Sequence, residues 1–138
     1  MGKSRDIAAR VAESEKITIN LGYVDLGQID LLVQEGFYGN RTDFIRTAIR
    51  AQLLRHDDAL NKTVARQRLD LGLRRITRKD LEAAKAASET LHIQVLGLVS
   101  IASDVTPKLA RDTIGSLHVV GALQAEPAIK AALADRIR

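Results

Sequence analysis

The side chains best suited to reading a base edge stand at alternate positions near the start of the chain: Lys16, Thr18 and Asn20, within EKITINLGY. Lysine donates to the acceptors of guanine, asparagine makes paired bonds to adenine, and threonine presents a hydroxyl or a methyl according to the base. A second group follows at Asn40, Arg41, Thr42 and Arg46 in GNRTDFIRTAIR. Asn40 stands three residues before Asp43, the spacing of an N-cap and capping box. The backbone N–H groups of Arg41 and Thr42, at the start of a helix, attract an anion such as a phosphate. Phosphate contacts position a duplex and base contacts discriminate sequence, so the two groups have separate tasks.

Nothing comparable exists for catalysis. The chain has no cysteine, which removes thiol nucleophiles, thiolate metal sites and disulfides. His56, His92 and His118 are far apart and form no HExxH motif, and Asp57 and Asp58 adjoin without a reason to converge on a pocket. His92 and His118 each follow a leucine in similar apolar segments and read as a repeated surface position. The expectation is therefore no enzyme, no catalytic residue, no metal site and no cofactor.

The elements that must position the two polar groups follow from periodicity. Ile17, Ile19 and Leu21 alternate with Lys16, Thr18 and Asn20 at the two-residue period of a half-buried strand, which ends at Gly22. From Val24 to Glu35 the apolar residues recur at helical spacing, giving helix one. GFYGN interrupts it, and RTDFIRTAIRAQLLR forms helix two, with Phe44, Ile45, Ala48, Ile49 and Leu53 on its apolar face. One strand and two helices in about forty residues cannot close a strong core alone. A second copy is expected to supply it, with Ile17, Ile19, Leu21, Phe44, Ile45, Ala48 and Ile49 forming a shared dimer core. The two strands would pair into a ribbon narrow enough for the major groove, carrying Lys16, Thr18 and Asn20 on its outer face.

KITINL followed by VDLGQIDLLVQEGFYGNRTDFIRTAIRAQL resembles the ribbon-helix-helix family of bacterial DNA-binding proteins, the methionine repressor and Arc repressor type of fold, over about residues 15–55. The resemblance implies an intertwined dimer whose paired strands enter the major groove and whose second helix holds phosphate at its start. It matches Lys16, Thr18 and Asn20 to the outward strand positions, and Asn40, Arg41 and Thr42 to the turn and the start of helix two. Gly22 stands where family members often have proline, which loosens the strand exit. The minimal family domain has no counterpart to residues 69–138.

Residues 56–68 read as a polar helical linker, either continuing helix two or restarting after a break near Asp57 and Asp58. Beyond it, glycine recurs in similar surroundings: LGLRRI around Gly72, LGLVSI around Gly97 and VGALQA around Gly121, at intervals of 25 and 24 residues. Each is followed by a segment of helical bias, TRKDLEAAKAASE, DVTPKLARD and EPAIKAALAD, the last two with proline near a first turn. A strand plus a short helix or turn thus repeats about three times, a period within the range of stacked repeats.

The expected class is α/β: an N-terminal arm at 1–14, a ribbon-helix-helix dimerising unit at 15–55, the linker at 56–68, and a small strand/helix repeat-like unit at 69–138 serving oligomerisation or effector and partner binding. Composition fits a folded aliphatic protein of 138 residues, 46% hydrophobic but only 3% aromatic, so leucine, isoleucine, valine and alanine must build the core. The formal charge of +4 divides into +2 for residues 1–68 (11 basic, 9 acidic) and +2 for 69–138 (10 basic, 8 acidic), so net charge carries no argument for nucleic acid. No apolar run is long enough for a membrane span or a secretory signal, and a cytoplasmic location is expected. The functional expectation is a dimeric, sequence-specific regulator of transcription, a repressor by occupying operator DNA, assembling further through residues 69–138. The alternatives are an antitoxin that neutralises its toxin with the C-terminal region, and a structural protein that oligomerises without reading DNA.

Overall fold

The computed structural model describes residues 14–138, so the arm expected at 1–14 lies, Ser14 apart, outside the described residues. The described chain divides into two compact units, residues 14–63 and 64–138.

In the first unit, α1 spans Tyr23–Gln34 and α2 spans Arg41–Arg55. Extended backbone at Gly22 starts α1, with Asp25 in its first turn to offset the positive end of the helix. Its end is a Schellman turn: the Phe37 amide donates to the Leu32 carbonyl at 3.0 Å and the Gly36 amide to that of Val33 at 3.1 Å. Gly36 takes the left-handed conformation this requires, φ +85°. The reversal is further held by Tyr38, whose ring meets that of Phe44 edge-on at 5.0 Å. After α2, His56 alone separates it from α3, Asp57–Gln67, which carries the boundary between the units.

The alternating segment 16–21 is not a strand here, and Ile17 and Ile19 are 73% and 61% exposed rather than half-buried. A strand exists only through its ladder, and the described residues of one chain offer this segment no partner. The apolar face of α2 is likewise open, with no residue of that helix buried.

The second unit is a strict alternation: β1 (Asp70–Ile76), α4 (Arg78–Ala86), β2 (Leu91–Ile101), α5 (Pro107–Thr113), β3 (Ile114–Gln124) and α6 (Pro127–Ala132). The strands form a parallel sheet in the order β1-β2-β3, and α4 packs on α5 and α5 on α6, making one helical layer. Each helix has a local start signal. Thr77 and Asp80 form a reciprocal capping box, Thr106 accepts from the Leu109 amide at 3.2 Å ahead of Pro107, and Pro127 opens α6. The core between the layers takes Ile93, Val95, Val99 and Ile101 from the central strand, with Leu81, Leu109 and Ile129 from the helices.

Gly72, Gly97 and Gly121 lie side by side across the three strands. All three have positive φ, +124°, +141° and +130°. A Cβ on Gly97 would fall 2.1 Å from the Gly72 carbonyl oxygen, and one on Gly121 would fall 2.1 Å from that of Gly97. The periodic glycine is thus a repeated close approach of neighbouring strands that no side chain permits.

Candidate nucleic-acid interface

The start of α2 is built by its own loop. Asn40 adopts extended backbone, and its side-chain oxygen accepts the Asp43 amide at 2.8 Å, the bond expected of the N-cap. Asp43 reaches back one residue further than a capping box does, accepting from the Gly39 amide at 2.9 Å. With Asp43 capped, the amides of Arg41 and Thr42 are left by helix geometry without intrahelical acceptors. Asn40, Arg41, Thr42 and Arg46 are all exposed.

Arg41 has a partner that spacing along the chain does not reveal. Its guanidinium forms a two-pronged pair with Asp30 of α1, Nε to Oδ1 and Nη2 to Oδ2, both at 2.7 Å. The hydrogen bonds from Arg41 hold the Asp30 carboxyl below the usual carboxylate range, and the same pair raises the arginine. Two carboxylates, Asp30 and Asp43, therefore flank the helix start. At this end of the unit the positive potential free to meet a phosphate comes from the backbone amides and from Arg46, which holds no ion pair among the described residues.

Lys16, Thr18 and Asn20 are exposed in the segment preceding α1. The apolar residues alternating with them divide: Ile19 and Leu21 line an open cavity of about 630 Å³, and Ile17 does not. Its remaining wall is supplied by α1 and α2, with Phe44, Ile45, Ala48 and Ile49 on one side and Ile29, Leu31 and Leu32 on the other. Sequence reasoning named the α2 side of this cavity as core and not the α1 side, although Ile29 and Leu32 belong to the helical periodicity between Val24 and Glu35. An exposed apolar concavity of this size within a fifty-residue unit is the kind of surface that a protein partner or a ligand covers.

The histidines do not converge. His56 caps α2, His92 on β2 bonds the Ser116 hydroxyl at 2.8 Å, and His118 on β3 lies opposite Gln94. Among the described residues no group of histidine and carboxylate side chains is placed to hold a metal ion, and no helix is long and apolar enough to cross a membrane.

A family model described as the Ribbon-Helix-Helix transcriptional regulator family matches residues 12–130, running from before Lys16 through all three strands of the second unit. No curated protein and no solved structure gives a significant match.

Proposed function

We propose how this chain, which belongs to the ribbon-helix-helix family of DNA-binding transcriptional regulators, reads its target. The family is regulatory rather than catalytic and generally binds DNA as dimers. In the proposed dimer, residues 16–21 of two copies pair antiparallel, and the pairing converts an unpartnered segment into a ribbon. Ile17, Ile19 and Leu21 turn inward with Phe44, Ile45, Ala48 and Ile49 of both copies, while Lys16, Thr18 and Asn20 face the major groove. The observation that supports this most is the open apolar cavity: its walls include Ile19 and Leu21 from the segment that must pair, beside the α2 residues that must be covered.

Once the ribbon is seated, Asn40, Arg41, Thr42 and Arg46 hold the flanking phosphates. Because Asp30 engages the Arg41 guanidinium, Arg41 acts chiefly through its backbone amide, and Arg46 brings the mobile charge. Occupation of an operator by such a dimer blocks transcription, so the regulator is a repressor, and residues 69–138 join dimers or receive an effector.

A mobility-shift assay of Lys16→Ala and Asn20→Ala, with the oligomeric state measured alongside, tests the reading. Each lost paired contact to a base is expected to cost about 1–3 kcal/mol in specific binding, with the dimer retained. Specific binding unchanged in both variants would sink the ribbon assignment.

A further inference from the structure

The outer edge of β1 plays no part in the ribbon proposed above. Among the described residues β1 pairs with β2 along one edge only, and residues 70–75 are all exposed, Leu71 at 67% and Leu73 at 62%. An open edge carrying two leucines is a template for strand addition.

The sequence of that edge is Asp70-Leu71-Gly72-Leu73-Arg74, with the leucines and the opposite charges placed symmetrically about the glycine. Their faces follow from the neighbouring strand. Val95 and Val99 both enter the core on either side of Gly97, and they stand in register with Asp70 and Arg74. Asp70 and Arg74 therefore share the helix-covered face of the sheet, and Leu71 and Leu73 share the opposite one.

We infer that this edge pairs antiparallel with β1 of a second copy of the chain, about a two-fold axis at Gly72. In that register Asp70 stands opposite the partner's Arg74 and Leu71 opposite the partner's Leu73, each pairing occurring twice, while glycine meets glycine at the axis. Opposite charges and apolar pairs facing across an antiparallel ladder both stabilise it. The two charges are free for this use. Asp70 forms no ion pair among the described residues, and Arg74 exerts only a lesser attraction on Asp80. The edge also has room for a further strand: a Cβ on Gly72 would meet nothing within 4 Å, whereas the equivalent positions on Gly97 and Gly121 are filled by the preceding strand.

Charge selects this arrangement over head-to-tail stacking on β3 of the next copy. Continuing the sheet in register would set Asp70 and Arg74 beside the partner's Val119 and the partner's Leu123, leaving both charges without opposites, and would grow without closing. The start of the β3 outer edge is in any case occupied by Ile137. This inference goes beyond the DNA-reading proposal and stands independently of it.

The chain has no cysteine, so cross-linking reads the register directly. Full-length Leu71→Cys/Leu73→Cys protein, mildly oxidised and run on a non-reducing gel, is expected to form a covalent dimer, since directly opposed strand residues lie within disulfide reach. Leu71→Cys/Arg75→Cys, out of register, is expected to cross-link several-fold less. Adding Asp70→Arg to the first pair should lower the yield, and Asp70→Arg with Arg74→Asp should restore it. Absence of the covalent dimer, equal yield from the shifted pair, indifference to Asp70→Arg, or preferential cross-linking of Leu71→Cys/Val120→Cys as in head-to-tail stacking would each overturn the proposal. Operator binding of the reduced variants, measured in parallel, reports on DNA reading separately.

Discussion

Replacing Gly97 with alanine tests the glycine row that sets the spacing of the sheet. The new Cβ would lie 2.1 Å from the Gly72 carbonyl oxygen and 3.0 Å from its carbon, both backbone atoms that yield only if β1 moves. A side chain at φ +141° adds strain of about 1–3 kcal/mol, and accommodating the overlap adds about 1–3 kcal/mol more. The sum, about 2–6 kcal/mol, is a large share of the stability of a small domain. Gly72→Ala carries the φ strain without the overlap, so about 1–3 kcal/mol is expected. At Gly115 φ is not positive, and the close atoms belong to the Thr90 and His92 side chains rather than to backbone; shifting them strains the His92 bond to Ser116, and the cost there is about 1–2 kcal/mol. All aromatic residues, Tyr23, Phe37, Tyr38 and Phe44, lie in the unit 14–63. Tyrosine fluorescence during urea unfolding thus follows the first unit, and far-UV circular dichroism adds the sheet. The expected order of loss in the dichroism transition is Gly97→Ala and Gly121→Ala, then Gly72→Ala, then Gly115→Ala, with the tyrosine transition unmoved. If Gly115→Ala costs as much as Gly97→Ala, the close-approach argument is wrong.

Three further outcomes follow from the geometry. Asp30→Asn removes the carboxylate that occupies Arg41, so DNA affinity should rise and the slope of log K against log salt should steepen by about 0.9 for each additional phosphate neutralised; an unchanged slope would show that Arg41 does not reach the backbone. Asn40→Ala deletes the bond to the Asp43 amide and should destabilise the first unit by about 1 kcal/mol in the tyrosine-detected transition. Asp80, held below the usual carboxylate range first by its hydrogen bond from the Thr77 amide, contributes stability that is full above its unfolded value near 4 and is lost as pH falls through its lower folded value. Asp80→Asn should therefore flatten the acid side of the dichroism-detected stability profile and leave the neutral side parallel to that of the unchanged chain.

Local signals made the helices legible. Asn40 and Asp43 announced α2, which runs from Arg41 to Arg55, because a cap acts on amides three residues away and leaves its mark in the sequence. Gly72, Gly97 and Gly121 announced strands for a similar reason: a close approach repeated once per strand must recur at the repeat length. The segment 16–21 illustrates the reverse case. Its alternation is real, but a ladder needs a second strand, and no property of one chain can display it. Asp30 was invisible for another reason. It sits eleven residues from Arg41, and only the turn at Gly36, which brings α1 back beside α2, puts the two within 2.7 Å. The self-complementary edge around Gly72 was also written in the sequence, but it acquires meaning only once β1 is known to be an edge.

The two units answer the problem of a small core in different ways. The second buries sixteen apolar residues, thirteen of them in one cluster between the sheet and the helical layer, from Ile76 to Leu133. The first buries Ile29 alone among its described apolar residues. One such side chain contributes about 1.5–3 kcal/mol, whereas fixing the backbone of a single residue costs about 1–2 kcal/mol. Two helices and a loop cannot fold on that balance, and their internal hydrogen bonds, each worth about 1 kcal/mol net, do not close the gap. The missing stabilisation has to come from apolar surface that a single chain leaves wet, and the cavity bounded by Ile19, Leu21, Ile29, Phe44, Ile45 and Ile49 holds that surface in one place. In the proposed dimer, folding of the first unit and its association are then one event, and the stability of its helices depends on protomer concentration. The sheet unit, with its core complete in one chain, carries no such dependence for folding and can keep its open edge for assembly.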